Sequence, residues 1–456
     1  MISNAFLLVL GIFLTILFFF IVVYIKDIKY GLIFWLFSAV FITPEVFAIS
    51  LPGVPDVYLE RIIFVLLFFI LFVKVAIGQE ETLPWTSVEL FWMILLSVLL
   101  VSMMRTGFFA AFQYEEHPSR VFLAGFFFPF AFYFFGKTIF YSEERLKTLL
   151  WASFFFYLYF VITAYMEHFE LRQFIIPRYI SDPLKGIHFG RARGPFLNAA
   201  VNGWVMVTLF ALVVFLRSQV ESPIARIMVN FGLLLSPLAV FYTYTRAAWL
   251  AYLLASLMFI FLSKRLLFNR LFIFVPIILL VILGVVNWER LQSKERATGG
   301  VMQTEEVEDR IKLFKITTAV FKENPIFGIG FGRFRRAAIL YGPEVAPGAS
   351  LGTPSQHNIF FSIVSEVGLL GLISFSLILI SAFRRGFPLF RHLGEEGLIN
   401  RDLIITFWVI MITYLVSASF IQTQYFLLAN VLSFLWVGII MGLYQRIIIG
   451  EQPIVA

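Results

Sequence analysis

The sequence predicts an all-α polytopic membrane protein of about 12–13 spanning helices. Three observations predict it. Hydrophobic residues make up 60% of the 456 and charged residues only 14%, where soluble proteins hold roughly 45–50% and about 25%. A chain this apolar cannot cover its own surface, so the excess must face lipid. The apolar residues also fall into separate runs of the length, about 20 residues, that crosses a hydrocarbon core as a helix. Finally, no stretch alternates apolar with polar residues for long enough to build a barrel.

Taken in chain order, the spans are expected near 5–24, 31–50, 62–78, 88–104, 121–141, 148–167, 199–216, 227–244, 247–263, 271–287, 358–382, 402–420 and 426–444. The total falls to twelve if the first, the fourth or the second (which contains Pro44) does not cross. The run from Ala5 to Tyr24 lacks a basic leader and a small-residue cleavage site, so it reads as a span. Lys/Arg bias in short loops sets the orientation. Lys26 and Lys29, Arg145 and Lys147, Arg217 and Arg226, Lys264 with Arg265 and Arg270, and Arg384, Arg385, Arg391 and Arg401 fall in alternate loops. Those loops, with Arg446 and the C-terminus, are expected on the cytoplasmic side. The chain then divides into N-terminal spans (1–167), an outer basic loop (168–198), central spans (199–287), a long outer loop (288–357), and C-terminal spans with a cytoplasmic tail (358–456).

The absence of cysteine excludes disulfides, thiolate metal sites and a Cys nucleophile. The net charge of +7 sits between spans, which points to topology and anionic ligands, not to nucleic acid.

Long connections are usually functional, and 288–357 is the only long one. Within it, Thr304 to Lys322 carries acids first and lysines after, matched to a helix dipole. Ile311, Phe314 and Phe321 are expected on one face, and Asn324-Pro325 ends the helix. Gly328, Gly330 and Gly332 read as a structural turn, because no strand precedes them to make a phosphate loop. In the other outer loop, Arg172, Arg178 and Lys185 read as solvated charges. Arg191 and Arg193 abut Gly194-Pro195 at the membrane face, where a guanidinium fork suits a lipid phosphate and a structural role serves equally. Arg246 stands between two tightly joined spans, where a role facing the bundle interior is favoured over snorkelling beside Tyr and Trp. His357 lies where the long loop re-enters the membrane. His117, His168, His188 and His392 lack such company and read as structural. There is no HExxH, no Asp-x-Asp and no discernible Ser-His-Asp set, and neither metal nor cofactor is expected.

These motifs, taken in order, resemble the O-antigen ligase superfamily. The resemblance rests on Arg191 or Arg193 with Gly194 and Phe196 before a span, and on Tyr244-Thr245-Arg246 at a short outer turn. It continues with Arg310 and Phe314 in the long loop, the run from Asn324 to Phe334, and His357-Asn358 followed by Glu366 and Gly368. It covers about 190 to 370. It implies a GT-C-like helical bundle at the bacterial inner membrane, with an active site facing the periplasm. It further implies transfer of a glycan from undecaprenyl diphosphate to a hydroxyl on lipid A-core, another glycan or a protein. By the same resemblance His357 would be the base, Arg191, Arg193 and Arg246 would bind the diphosphate, and Arg310 and Asn358 would be secondary contacts. A polysaccharide polymerase is the alternative within the superfamily, and a lipid-linked glycan flippase the alternative outside it.

Overall fold

The computed structural model describes residues 27–110 except 44, 45, 47, 52 and 53, then 116–263, 278, 281, 282, 284–286, 304–345 and 356–450. The expected span 5–24, and most of 271–287, lie outside the described residues.

Helices dominate, as the composition requires. They are α1 (Ile28–Phe41), α2 (Leu59–Ala76), α3 (Ser87–Thr106), α4 (Pro118–Ile139, with one π turn), α5 (Glu143–His168), α6 (Ala199–Gln219), α7 (Pro223–Phe241) and α8 (Arg246–Leu262). After the long connection come α9 (Thr304–Glu323), α10 (Phe334–Val345), α11 (Ile359–His392), α12 (Arg401–Phe420) and α13 (Leu427–Ile448). Among the described residues, eight helices are long and apolar enough to cross a membrane, and α1 and α8 are shorter apolar helices.

The expected second span, 31–50, is not a single helix. α1 stops at Phe41, and a short antiparallel hairpin follows, β1 (Ala48–Leu51) with β2 (Val54–Tyr58). Thr43 precedes a proline, which disfavours helical backbone, and the β-branched residues beyond it pair instead.

Contacts at the helix ends fix how the bundle is strung. At one end, Asp27, Glu80 and Glu144 meet Lys29 and Arg145. There too Ser87 accepts a hydrogen bond from Arg385 (2.7 Å), and Ser263 donates to Asp402 (2.7 Å). At the other end, Arg105 reaches the Gly328 carbonyl (2.7 Å) and Asn358 the Ser419 carbonyl (3.2 Å). Helices α1 to α8 therefore alternate in direction, as do α11 to α13. The segment carrying α9 and α10, and the loop 169–198, share the second end, called the loop face below. Among the described residues, Lys29, Arg145, Arg385 and Arg401 collect at the opposite face.

Packing is closest between α4 and α13. A Cβ on Gly438 would lie 1.9 Å from the Tyr133 carbonyl oxygen, and one on Gly136 2.2 Å from that of Leu435. Small residues let helix backbones approach where lipid supplies no hydrophobic drive between helices. The same pair buries the ion pair of Lys137 with Glu89 of α3, joined by the Tyr133 hydroxyl (2.7 Å) and the Pro84 carbonyl (2.7 Å).

Candidate active site

The turn between α7 and α8 is too short to relax freely. Tyr244 takes a left-handed backbone (φ 45°), which costs a non-glycine residue roughly 1–3 kcal/mol. Arg191 holds that turn. Its Nε donates to the Thr243 carbonyl (2.8 Å), and Nη2 to the Tyr244 carbonyl (3.0 Å) and the Thr245 hydroxyl (2.6 Å). The Ala192 amide adds a bond to the Tyr242 carbonyl (3.0 Å). The turn so fixed delivers Arg246 as the first residue of α8, exposed on the loop face.

Arg193 is fully buried and points elsewhere. Its fork donates to the carbonyls of Lys185 (2.6 Å), Ile180 (2.8 Å) and Asp182 (2.6 Å), stapling the loop that follows α5. Burial pulls its pKa below the ordinary arginine value, opposed by the nearby Glu167 carboxylate. Glu167 in turn accepts the Gly194 amide (2.9 Å). Of the three arginines expected at a diphosphate, the structure presents Arg246 outward and spends the forks of Arg191 and Arg193 largely on backbone carbonyls.

His357 is exposed, also with left-handed backbone (φ 49°), and both its neighbours are anchored. Asn358 caps α11, its Oδ1 accepting the amides of Phe360 (2.8 Å) and Phe361 (3.1 Å), while Nδ2 donates to the Ser419 carbonyl (3.2 Å). Gln356 is buried. Its Nε2 donates to the Ser365 hydroxyl (2.6 Å), the Phe361 carbonyl (3.1 Å) and Thr317 of α9 (3.3 Å). Gln422 donates to Ser362 (2.6 Å) from the connection between α12 and α13. Sequence reasoning passed over both glutamines, since an uncharged amide outside a motif gives no signal. From α9, Arg310 places its guanidinium over the Phe420 ring, 5.4 Å from the centroid. Thus His357, Asn358 and Arg310 meet around the end of α12. Because α8 and α12 run antiparallel, joined at the far end by Ser263 and Asp402, Arg246 lies on the same face.

The glycine turn supports this arrangement from one side. The amides of Ile329 and Gly330 donate to the carbonyls of Ser365 (3.0 Å) and Glu366 (2.9 Å), and Glu366 accepts the Phe334 amide (3.3 Å). α11 breaks at Gly368 (φ 72°, ψ −163°) to receive the turn. Its backbone is spent on helix packing, as the structural reading expects. In α9, however, the buried face is Ile316, Thr317 and Val320, while Ile311 and Phe314 are half exposed. The expected apolar face is therefore rotated around the helix.

Three of the other four histidines are engaged in local structure, and His392 is exposed. His117 accepts the Ala110 amide (3.0 Å), His188 the Ala199 amide (3.3 Å), and His168 stacks on Tyr242 at 3.7 Å. Among the described residues, no group of three or more His, Asp or Glu is placed to hold a metal ion.

Two comparisons bear on this site. Residues 231–376, from α7 through the Arg246 turn, α9 and His357 to beyond Gly368, match the family model described as O-antigen ligase. A search of curated proteins finds no match to the chain.

Proposed function

We propose that this chain, whose segment 231–376 matches the O-antigen ligase family model, transfers a glycan from undecaprenyl diphosphate to a hydroxyl acceptor such as lipid A-core. The reaction would take place at the outer face of the bacterial inner membrane. The observation that carries the reading is the gathering of an exposed histidine, held between anchored amides, and an exposed arginine, set by a strained turn, on one face of the bundle.

In this scheme the acceptor hydroxyl gives its proton to a ring nitrogen of His357 as its oxygen bonds to the anomeric carbon. The bond from that carbon to the diphosphate breaks, and undecaprenyl diphosphate leaves with the electron pair. A positioned base contributes typically 10²–10⁴-fold, and an imidazole near pKa 6.5 suits the task. Arg246 meets the charge that grows on the leaving diphosphate, a role in which fixed donors are most effective. Arg191 serves by holding the turn that presents Arg246, and Arg193 by holding the neighbouring loop. Arg310 and Asn358 flank the acceptor side.

The test is reconstitution of the purified chain with undecaprenyl-diphosphate glycan and candidate acceptors, without nucleotide or added metal. Glycan joined to lipid A-core supports the ligase. A ladder of longer lipid-linked glycans assigns the polymerase instead. Protein-dependent movement of the lipid across vesicles with no new bond overturns both.

A further inference from the structure

The loop from Phe169 to Ile187 should be solvated if its cations, Arg172, Arg178 and Lys185, decide its surroundings. Its apolar residues contradict that. Phe169 is 58% exposed, Phe174 62%, Ile176 66%, Leu184 93% and Ile187 53%. Large exposed apolar side chains gathered in one short loop call for a partner or a lipid surface, and the loop is not loosely hung. Arg193 ties three of its carbonyls, and Ile175, Tyr179 and Ile180 pack with Leu197 against Met166. The side chains that point outward do so from a fixed backbone.

Depth identifies what covers them. The Tyr159 hydroxyl donates to the Ile176 carbonyl (2.8 Å), so the loop folds back along α5. Tyr159 stands about 13 Å before the end of that helix, at 1.5 Å per residue. The stretch of α5 without a charged residue runs from Thr148 to Met166, about 28 Å, which matches a hydrocarbon core of about 30 Å. Ile176 is held to Tyr159 and Ile175 to Met166, so this part of the loop sits at or below the outer edge of the core. Charge is a minor contributor, since Glu170 and Asp182 offset two of the three cations.

We infer that the loop 169–187 is an interfacial collar, seated in the lipid leaflet through Phe174, Ile176 and Leu184, with Arg178 and Lys185 snorkelling to the headgroups. It borders the Arg191–Gly194 segment that sets the Arg246 turn, and so fixes the level of lipid headgroups beside that turn. The inference is independent of the transfer reaction.

Spin labels test it, because the chain has no native cysteine. Phe174→Cys, Ile176→Cys and Leu184→Cys are labelled singly in the full chain in phospholipid nanodiscs. Phe231→Cys serves as the lipid-facing reference and Glu395→Cys as the aqueous one, both positions being exposed. The expected result is greater accessibility to oxygen than to a water-soluble nickel chelate at all three, shifted toward the Phe231 pattern and unchanged by raising the salt. Nickel accessibility exceeding that of oxygen, as at Glu395, overturns the inference in favour of a solvated loop. Shielding from both reagents overturns it in favour of a protein partner or a second copy. Each exchange replaces an exposed side chain, and should one variant fail to fold, either of the others decides alone.

Discussion

His357 is held between two side-chain amides that do different work, and its predicted behaviour follows from that. Asn358 caps α11 and ties it to α12, while Gln356 ties the same point to α9. The imidazole itself is exposed. Replacing it by glutamine leaves the anchors of Gln356 and Asn358 in place and removes the proposed base. His357→Gln is expected to melt like the parent and bind donor lipid, with turnover lower by about 10²–10⁴-fold. Activity of the parent should fall in acid as the ring takes up a proton, because only the neutral ring can act as base; the glutamine variant should lose that acid limb. Near-parental turnover in a folded variant removes His357 from the mechanism. At Arg246, alanine should cost about 10²-fold or more, by analogy with loss of a single oxyanion donor. Lysine should restore little, because an ammonium lacks the fork; full activity in Arg246→Lys would reduce Arg246 to a membrane anchor. The sequence made both residues visible, as polar groups at membrane boundaries. It could not sort Arg191 from Arg193 by role, because whether a guanidinium meets phosphate or a carbonyl depends on a turn 52 residues away.

Among the elements, α11 shows why motif and geometry must be read together. Its glycine at 368 has a backbone that essentially only glycine adopts, and a Cβ there would lie 2.2 Å from the Ile326 carbonyl oxygen. Gly368→Ala is expected to destabilise the protein by about 1–3 kcal/mol from strain alone, and to loosen the Asn324–Phe334 turn from the helix. Gly394→Ala, whose Cβ would meet only the Glu396 amide nitrogen at 4.0 Å, should be neutral. Comparing the two by thermal melting, with limited proteolysis near Phe327, checks both parts; an unchanged melting temperature at Gly368 would mean that the break is not required. Among the described residues the helix pattern was otherwise legible, since runs of about 20 apolar residues leave few alternatives. What periodicity did not reveal was the hairpin after α1, where a short apolar run fits strand or helix equally. It also misplaced the buried face of α9, whose apolar residues lie on more than one side and whose packing against α10 and α11 selects among them.

Across the whole molecule, the alternation of helix direction places all the candidate groups on one face and the basic short connections on the other. Lys29, Arg145, Arg385 and Arg401 mark the second. Cytoplasmic loops retain Lys and Arg, so the loop face is predicted to lie outside, where lipid-linked glycans would meet the site. Lys322 at the end of α9 and Glu395 between α11 and α12 are both exposed, on opposite faces. With no native cysteine to contribute background, Lys322→Cys should react with a membrane-impermeant thiol reagent applied to intact spheroplasts. Glu395→Cys should react only after permeabilisation. Because the helix contacts lock the two faces together, a reversed result could not be accommodated by moving one loop. It would turn the bundle over, bring His357 and Arg246 to the cytoplasmic side, and remove the outward-facing transfer reaction, while leaving the packing of the bundle intact.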